Sequence, residues 1–117
     1  MYNDNNVFAK ILRGEIPADK IYENEYALSI RDVNPAADVH ALVLPKGEYK
    51  NIHDFMSNAD EKAVRGFWHA FRETLNILGI SDDYNVLANT GAGPFSSQTV
   101  MHFHMHILCG KRLKDIE

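Results

Sequence analysis

The sequence predicts an α+β domain, a five-stranded antiparallel sheet with one long and one short helix. Three patterns lead there. Short runs rich in branched and aromatic residues are separated by turn signals, as in strands of a sheet. One amphipathic stripe runs from Val64 to Leu78. Finally, His102, His104 and His106 alternate with Met101, Phe103, Met105 and Ile107. In a strand, residues two apart line one face at about 6.6 Å spacing, with the intervening apolar residues toward the core. On a helix, about 100° per residue would send the middle histidine to the far side.

In chain order, residues 7–13 read as a short helix with Phe8, Ile11 and Leu12 on one side, ended by Gly14 and a turn at Pro17. Residues 20–23, 27–32 and 40–44 read as strands, split by Asn24-Glu25 and by Asn34-Pro35. Ser57 with Asp60 resembles a capping box, loosened by Asp in place of Glu. The helix after it carries Val64, Phe67, Trp68, Phe71, Leu75 and Leu78 on one stripe and ends at Gly79. That stripe reads as core or as a dimer surface. Residues 84–89 and 101–108 complete the five strands. With no repeat, linker or low-complexity segment, the 117 residues read as one domain over 1–117.

Composition narrows the function classes. A net charge of −4 offers no basic footprint, so a macromolecular nucleic-acid partner is disfavoured, whereas a single nucleotide is compatible. The lone cysteine, Cys109, excludes an intrachain disulfide and fits a reducing, cytoplasmic setting. The polar start MYNDNN has no apolar signal core, and no stretch approaches 18 apolar residues, so no membrane association is expected.

A row of three imidazoles admits chance, a metal site or catalysis. Strict alternation within five positions argues against chance. Imidazole is the commonest metal ligand, and histidines two apart on a strand can share one zinc. Catalysis needs a nucleophile or base with hydrogen-bond donors close by. The preceding segment NTGAGPFSSQTV supplies such donors, with Gly91, Gly93 and Pro94 to turn the chain and Ser96, Ser97, Gln98 and Thr99 to follow. Spacing therefore favours catalysis over metal and leaves both open. Other polar residues read more plainly. Asp32 by itself is a turn residue at a strand end, His40 fits an edge histidine as well as a catalytic support, and His53 reads as a loop residue. His69 falls on the polar side of the long helix, and Asp82-Asp83 reads as a solvated turn.

The segment Gln98-Thr99-Val100 followed by His102-Phe103-His104-Met105-His106-Ile107-Leu108 resembles the signature of the histidine triad (HIT) family, His-x-His-x-His and two apolar residues. VFAKILRGEIPADKIYENE, LSIRDVNPAADVHALVLPK and YNVLANTGAG resemble the family's opening helix, nucleotide-contacting strands and phosphate loop, in order. The likeness covers residues 7–110 and favours the Hint-like branch. It implies a HIT-like fold whose homodimer joins two sheets into ten strands. The implied activity is that of a nucleotidyl hydrolase or transferase acting on a purine nucleotide, an AMP or GMP conjugate, with no cofactor.

By this resemblance His104 would attack the α-phosphorus, His106 would hold a non-bridging oxygen, and His102, backed by His40, would sit in the same row. Thr99 matches a hydroxyl that contacts the phosphate or the departing group, while Asn89 and Gln98 match phosphate-side residues. Asp32 would accept hydrogen bonds from the ribose, and Phe8, Ile11, Ile30 and Val33 would wall the base.

The chain also departs from the pattern. Asn6 and Ala9 stand where zinc-binding relatives carry Cys-x-x-Cys, and Glu48 where a histidine often follows, so no structural zinc is expected. Ser97 replaces a glycine common before the Gln, and the ending KRLKDIE lacks the Trp-Pro-Pro of the animal Hint proteins. The leading reading is a nucleoside phosphoramidase. Its rivals are a nucleotide-binding regulator with little turnover, a dinucleoside polyphosphate hydrolase, and a three-histidine zinc hydrolase.

Overall fold

A computed structural model describes residues 1–114; the last three residues of the KRLKDIE ending lie outside the described part. The elements run α1 (Val7–Leu12), β1 (Lys20–Glu23), β2 (Ala27–Arg31), β3 (Ala37–Pro45), α2 (Ile52–Asn58), α3 (Glu61–Leu78), β4 (Tyr84–Leu87) and β5 (Met105–Arg112). The five strands form one antiparallel sheet, as expected from the sequence, and their order is β1-β2-β3-β5-β4. The last strand in sequence thus enters between β3 and β4, which brings the histidine segment to the middle of the sheet.

Strand alternation divides the interior in two. Ala41 and Val43 of β3 pack with Met105 and Ile107 of β5 against Phe67, Ala70 and Phe71 of α3. The opposite face carries Leu28, Ile30, Leu42 and Leu44, covered by Phe8 and Ile11 of α1. Within α3, Thr74 is buried yet satisfied, since its hydroxyl lies 2.7 Å from both the Ala70 carbonyl and the Ser29 hydroxyl. Trp68, on the predicted stripe, is instead 48% exposed. Gly79 closes the helix in the left-handed region with φ 71°, as a C-terminal glycine does without strain. None of the helices described is long and apolar enough to cross a membrane.

Three expectations are corrected. A third helix, α2, occupies the stretch where His53 was expected in a loop. Its start is fixed locally: the Asn51 side chain accepts from the Asp54 amide at 2.8 Å while Asp54 accepts from the Lys50 amide at 2.8 Å. Ser57 therefore lies inside α2, donating to the His53 carbonyl, and Asp60 alone caps α3 by accepting from the Ala63 amide. Third, β5 begins at Met105, so only His106 of the three histidines belongs to a strand. The chain leaves the ladder because the Phe103 amide donates to the Tyr49 carbonyl at 2.7 Å. The inside-outside alternation nevertheless persists, with Phe103 joining Met105 and Ile107 in the core.

Candidate active site

Between α1, the end of β2 and the start of β5 lies a cavity of about 310 Å³, the size of a small-ligand site. Phe8, Ile11, Ile30, Leu42 and Val100 form its apolar part. Asp32, His40, Thr99, His104 and His106 form the polar part, with Val33, Arg31 and Lys114 also on the wall. The fold accounts for this meeting. His106 faces Leu42 across the β3–β5 ladder, and His40 lies two residues along from Leu42 on the same face, a diagonal cross-strand neighbour.

Hydrogen-bond partners fix which ring nitrogen carries each proton. The Ala36 amide donates to His40 Nδ1 at 2.9 Å, so neutral His40 holds its proton on Nε2 and donates it to His106 Nδ1 at 2.8 Å. His106 in turn carries its own proton on Nε2. His104 donates from Nδ1 to the His102 carbonyl at 2.7 Å, which leaves Nε2 as an in-plane lone pair. Burial lowers the pKa of His104, only partly offset by that hydrogen bond and by Asp32, so the ring is neutral at neutral pH. Desolvation likewise lowers His40, opposed by the Asp32 carboxylate, whose Oδ2 lies 3.5 Å from His40 Nε2.

The structure separates residues that the sequence grouped. His40 backs His106 and not His102, because His102 precedes the strand and lies away from the β3 histidine. His102 is fully buried and absent from the cavity wall; Tyr2 and the Pro45 carbonyl hold its two nitrogens. Burial brings the His102 pKa down to about 4. Gln98 is 3% exposed and its amide group is committed within the loop, accepting from the Gly91 amide and donating to the carbonyls of Lys50 and Val100, each at 2.8 Å. It shapes the loop and does not line the cavity. Asn89 also stays off the wall, with a buried Nδ2 that has no hydrogen-bond partner among the described residues. Thr99 stands exposed at the rim. Ser97, in the glycine position, adopts a left-handed φ of 52° and turns its own amide to the Gly93 carbonyl.

Residues 13–113 match the family model of the HIT domain. The chain is 43% identical over 113 residues to an uncharacterized 13.2 kDa HIT-like protein of Azospirillum brasilense, covering 96% of this chain and 91% of that one. Among solved structures it is similar to a HIT family hydrolase from Clostridium thermocellum, with a TM-score of 0.76, 31% identity and 97% of each chain covered. A HIT family hydrolase from Legionella pneumophila gives a TM-score of 0.79 at 31% identity, covering 94% of this chain and 96% of that one. The chain belongs to the HIT family.

In this HIT protein, Asp32, His40 and His106 are the described residues whose ligand atoms come within 4.8 Å of one another, the set that could hold a metal ion. Two of those atoms are already bonded to each other, His40 Nε2 to His106 Nδ1. The same closeness therefore serves a proton between rings. Sequence reasoning missed Leu42, Val100, Lys114 and Tyr2. Leu42 was legible as the residue two along from His40 on an alternating strand. Tyr2 falls in the polar start and carries no periodic signal.

Proposed function

We propose that this HIT protein is a nucleotidyl hydrolase that cleaves a purine nucleoside monophosphate from a phosphoramidate or related leaving group. The observation that carries the reading is the His104 ring. Its Nδ1–H is held by the His102 carbonyl, its burial keeps it neutral, and its remaining lone pair belongs to a cavity-lining side chain. A neutral imidazole is a competent nucleophile without a Lewis acid, so the reaction is metal-independent.

In the first step the His104 Nε2 lone pair forms a bond to the α-phosphorus as the bond to the leaving group breaks. The departing amine or alcohol takes a proton from solvent at the open rim, passed along by the exposed Thr99 hydroxyl. Water then attacks the phosphorus, the P–Nε2 bond breaks, and the free monophosphate leaves with His104 restored. The water's proton replaces the one given to the leaving group. His106 Nε2–H holds a non-bridging oxygen, and its orientation is maintained by His40 donating to Nδ1. Phe8, Ile11, Ile30 and Val33 wall the base, and Asp32 accepts from the ribose hydroxyls. Asn89, whose Nδ2 has no hydrogen-bond partner among the described residues, is the phosphate-side donor, while Gln98 acts by holding the loop.

The same reading makes the molecule a cytoplasmic homodimer. β4 is an edge strand with Val86 39% exposed, and pairing through an edge would join two sheets into ten strands. Sedimentation at micromolar concentration tests this, and a 13.3 kDa species alone refutes it.

The deciding experiment screens adenosine and guanosine phosphoramidates, dinucleoside polyphosphates and nucleotidyl sulfates against wild type and His104→Ala. Turnover of a phosphoramidate that survives chelation and vanishes in His104→Ala is the expected result. Tight nucleotide binding with no turnover of any class would instead make the protein a regulator.

A further inference from the structure

His102 is a triad histidine that never reaches the cavity, which raises the question of what its buried ring is for. We propose that Tyr2 is a positioning residue for the nucleophile, acting through His102. The phenol fixes the His102 ring, and the His102 carbonyl fixes the His104 ring. The inference rests on His104 being the nucleophile of the proposed reaction.

The direction of each hydrogen bond follows from the groups involved. Asn6 Nδ2, which can only donate, lies 3.0 Å from the Tyr2 hydroxyl oxygen. The phenol thus has its own proton to give to His102 Nδ1, 2.6 Å away. With Nδ1 accepting, His102 carries its proton on Nε2 and donates to the Pro45 carbonyl at 2.8 Å. The far end of the chain is anchored as well, since Asn6 Oδ1 caps α1 by accepting from the Ala9 amide at 2.9 Å. An unbroken series of directed bonds therefore runs from the start of α1 through Asn6 and Tyr2 to His102, whose carbonyl holds His104 Nδ1–H at 2.7 Å.

Packing follows the same path. The Tyr2 ring meets His102 edge-on at 5.7 Å, and Phe8 meets His102 at 6.3 Å and His104 at 4.8 Å, both edge-on. Tyr2 and Phe8 thus pack edge-on against the two imidazoles. Removing the phenol hydroxyl alone leaves a buried Nδ1 without a donor, so the ring must change tautomer, rotate or protonate. Each response disturbs the backbone at His102 that orients the nucleophile. Orientation matters because small misplacements of a reacting group cost large factors in rate.

Tyr2→Phe keeps the ring contact and removes only the donor, and Tyr2→Leu removes both. Ring ¹⁵N signals of His102 and His104, the dissociation constant for AMP, and kcat and KM on a nucleoside phosphoramidate are measured for all three proteins. In Tyr2→Phe the signals of both histidines should move, kcat should fall by about tenfold, and KM and AMP binding should stay within about twofold. Tyr2→Leu should lose melting temperature in addition, with a similar kcat. Wild-type kcat in Tyr2→Phe, or unmoved His104 signals, overturns the proposal. If the wild type turns over no nucleotidyl substrate, the nucleophile reading falls separately. The ring signals then decide alone whether Tyr2 orients the two histidines.

Discussion

His40 Nε2 lies 2.8 Å from His106 Nδ1, across two neighbouring strands, and the Ala36 amide on the far side of the His40 ring leaves that contact only one polarity. His40 donates, so His106 presents its proton at the other nitrogen. In the proposed reaction, a substitution at position 40 therefore acts through His106. His40→Ala should lower kcat by about 10- to 100-fold, the range typical of losing a partner that orients a reactive ligand or ring. His40→Asn, whose amide can still donate, should recover part of the loss. Equal kcat in wild type and His40→Ala, by steady-state kinetics on a phosphoramidate, would show that the ring pair plays no part in turnover.

The burial of the histidines also sets how the protein responds to acid. His104 is held below the ordinary histidine pKa of 6.5, so its ring, the proposed nucleophile, remains uncharged at a pH where an exposed histidine has begun to charge. The acid limb of kcat/KM should consequently fall below pH 6.5. An acid limb centred at or above that value would contradict the geometry.

Stability should follow the same sign. His102, at about 4 in the folded state against 6.5 for the free side chain, binds fewer protons folded than unfolded between those values. Its contribution is complete above pH 6.5 and is lost progressively as the pH falls toward 4. The loss amounts to roughly 3 kcal/mol at about 1.4 kcal/mol per pKa unit. His40 and His104 shift in the same direction. Urea denaturation should show stability falling as the pH drops from about 6.5 to about 4.5, and a flat profile would contradict the burial of all three.

Ser97 allows a test of the loop that leads to the triad. Its φ of 52° lies in the left-handed region, which costs a residue with a Cβ about 1 to 2 kcal/mol. Glycine removes that strain but adds about 0.5 to 1 kcal/mol of unfolded-state entropy. Ser97→Gly should therefore raise stability by about 0 to 1.5 kcal/mol, and Ser97→Val should lower it. Thermal melts of both variants check the order, and a destabilised Ser97→Gly would mean that its hydroxyl matters more than its backbone.

Two kinds of signal could be read from the sequence. Alternation placed Phe103, Met105 and Ile107 inward, whereas the grouping of Asp32, His40, His104 and His106 with Phe8, Ile11 and Ile30, which line one cavity, came from the family resemblance. The helix α2 was illegible because it is only seven residues long and its start depends on side-chain caps, Asn51 accepting from the Asp54 amide and Asp54 from the Lys50 amide, with only Ile52 and Phe55 turned to the core. The partner of His102 was illegible for a different reason. Whether His40 meets His102 or His106 depends on the register of β3 against β5, and one chain's pattern fixes faces without fixing register. Tyr2 lies 100 residues from His102 and has no regular spacing to it.

The nucleophile separates an enzyme from a binding protein. His104→Ala removes one ring from a cavity whose apolar wall includes Phe8, Ile11 and Ile30, the proposed base contacts, and whose remaining polar groups include Asp32, Thr99 and His106. Most contacts to a nucleoside monophosphate therefore survive, and its affinity should change only a few-fold. Turnover should not survive, because the proposed covalent step loses its attacking atom. A fall in kcat on the order of 10³ or more is expected, far beyond the loss of one contact. Since the His102 carbonyl remains in place to orient a ring nitrogen, His104→Gly should be partly rescued by added imidazole. Denaturing the wild type during turnover, without acid, should trap a nucleotidyl adduct on the peptide containing residues 102–108. Mass spectrometry that finds the adduct on a different residue, or a His104→Ala protein that keeps near wild-type kcat, would show that the lone pair on His104 Nε2 is not the group that attacks.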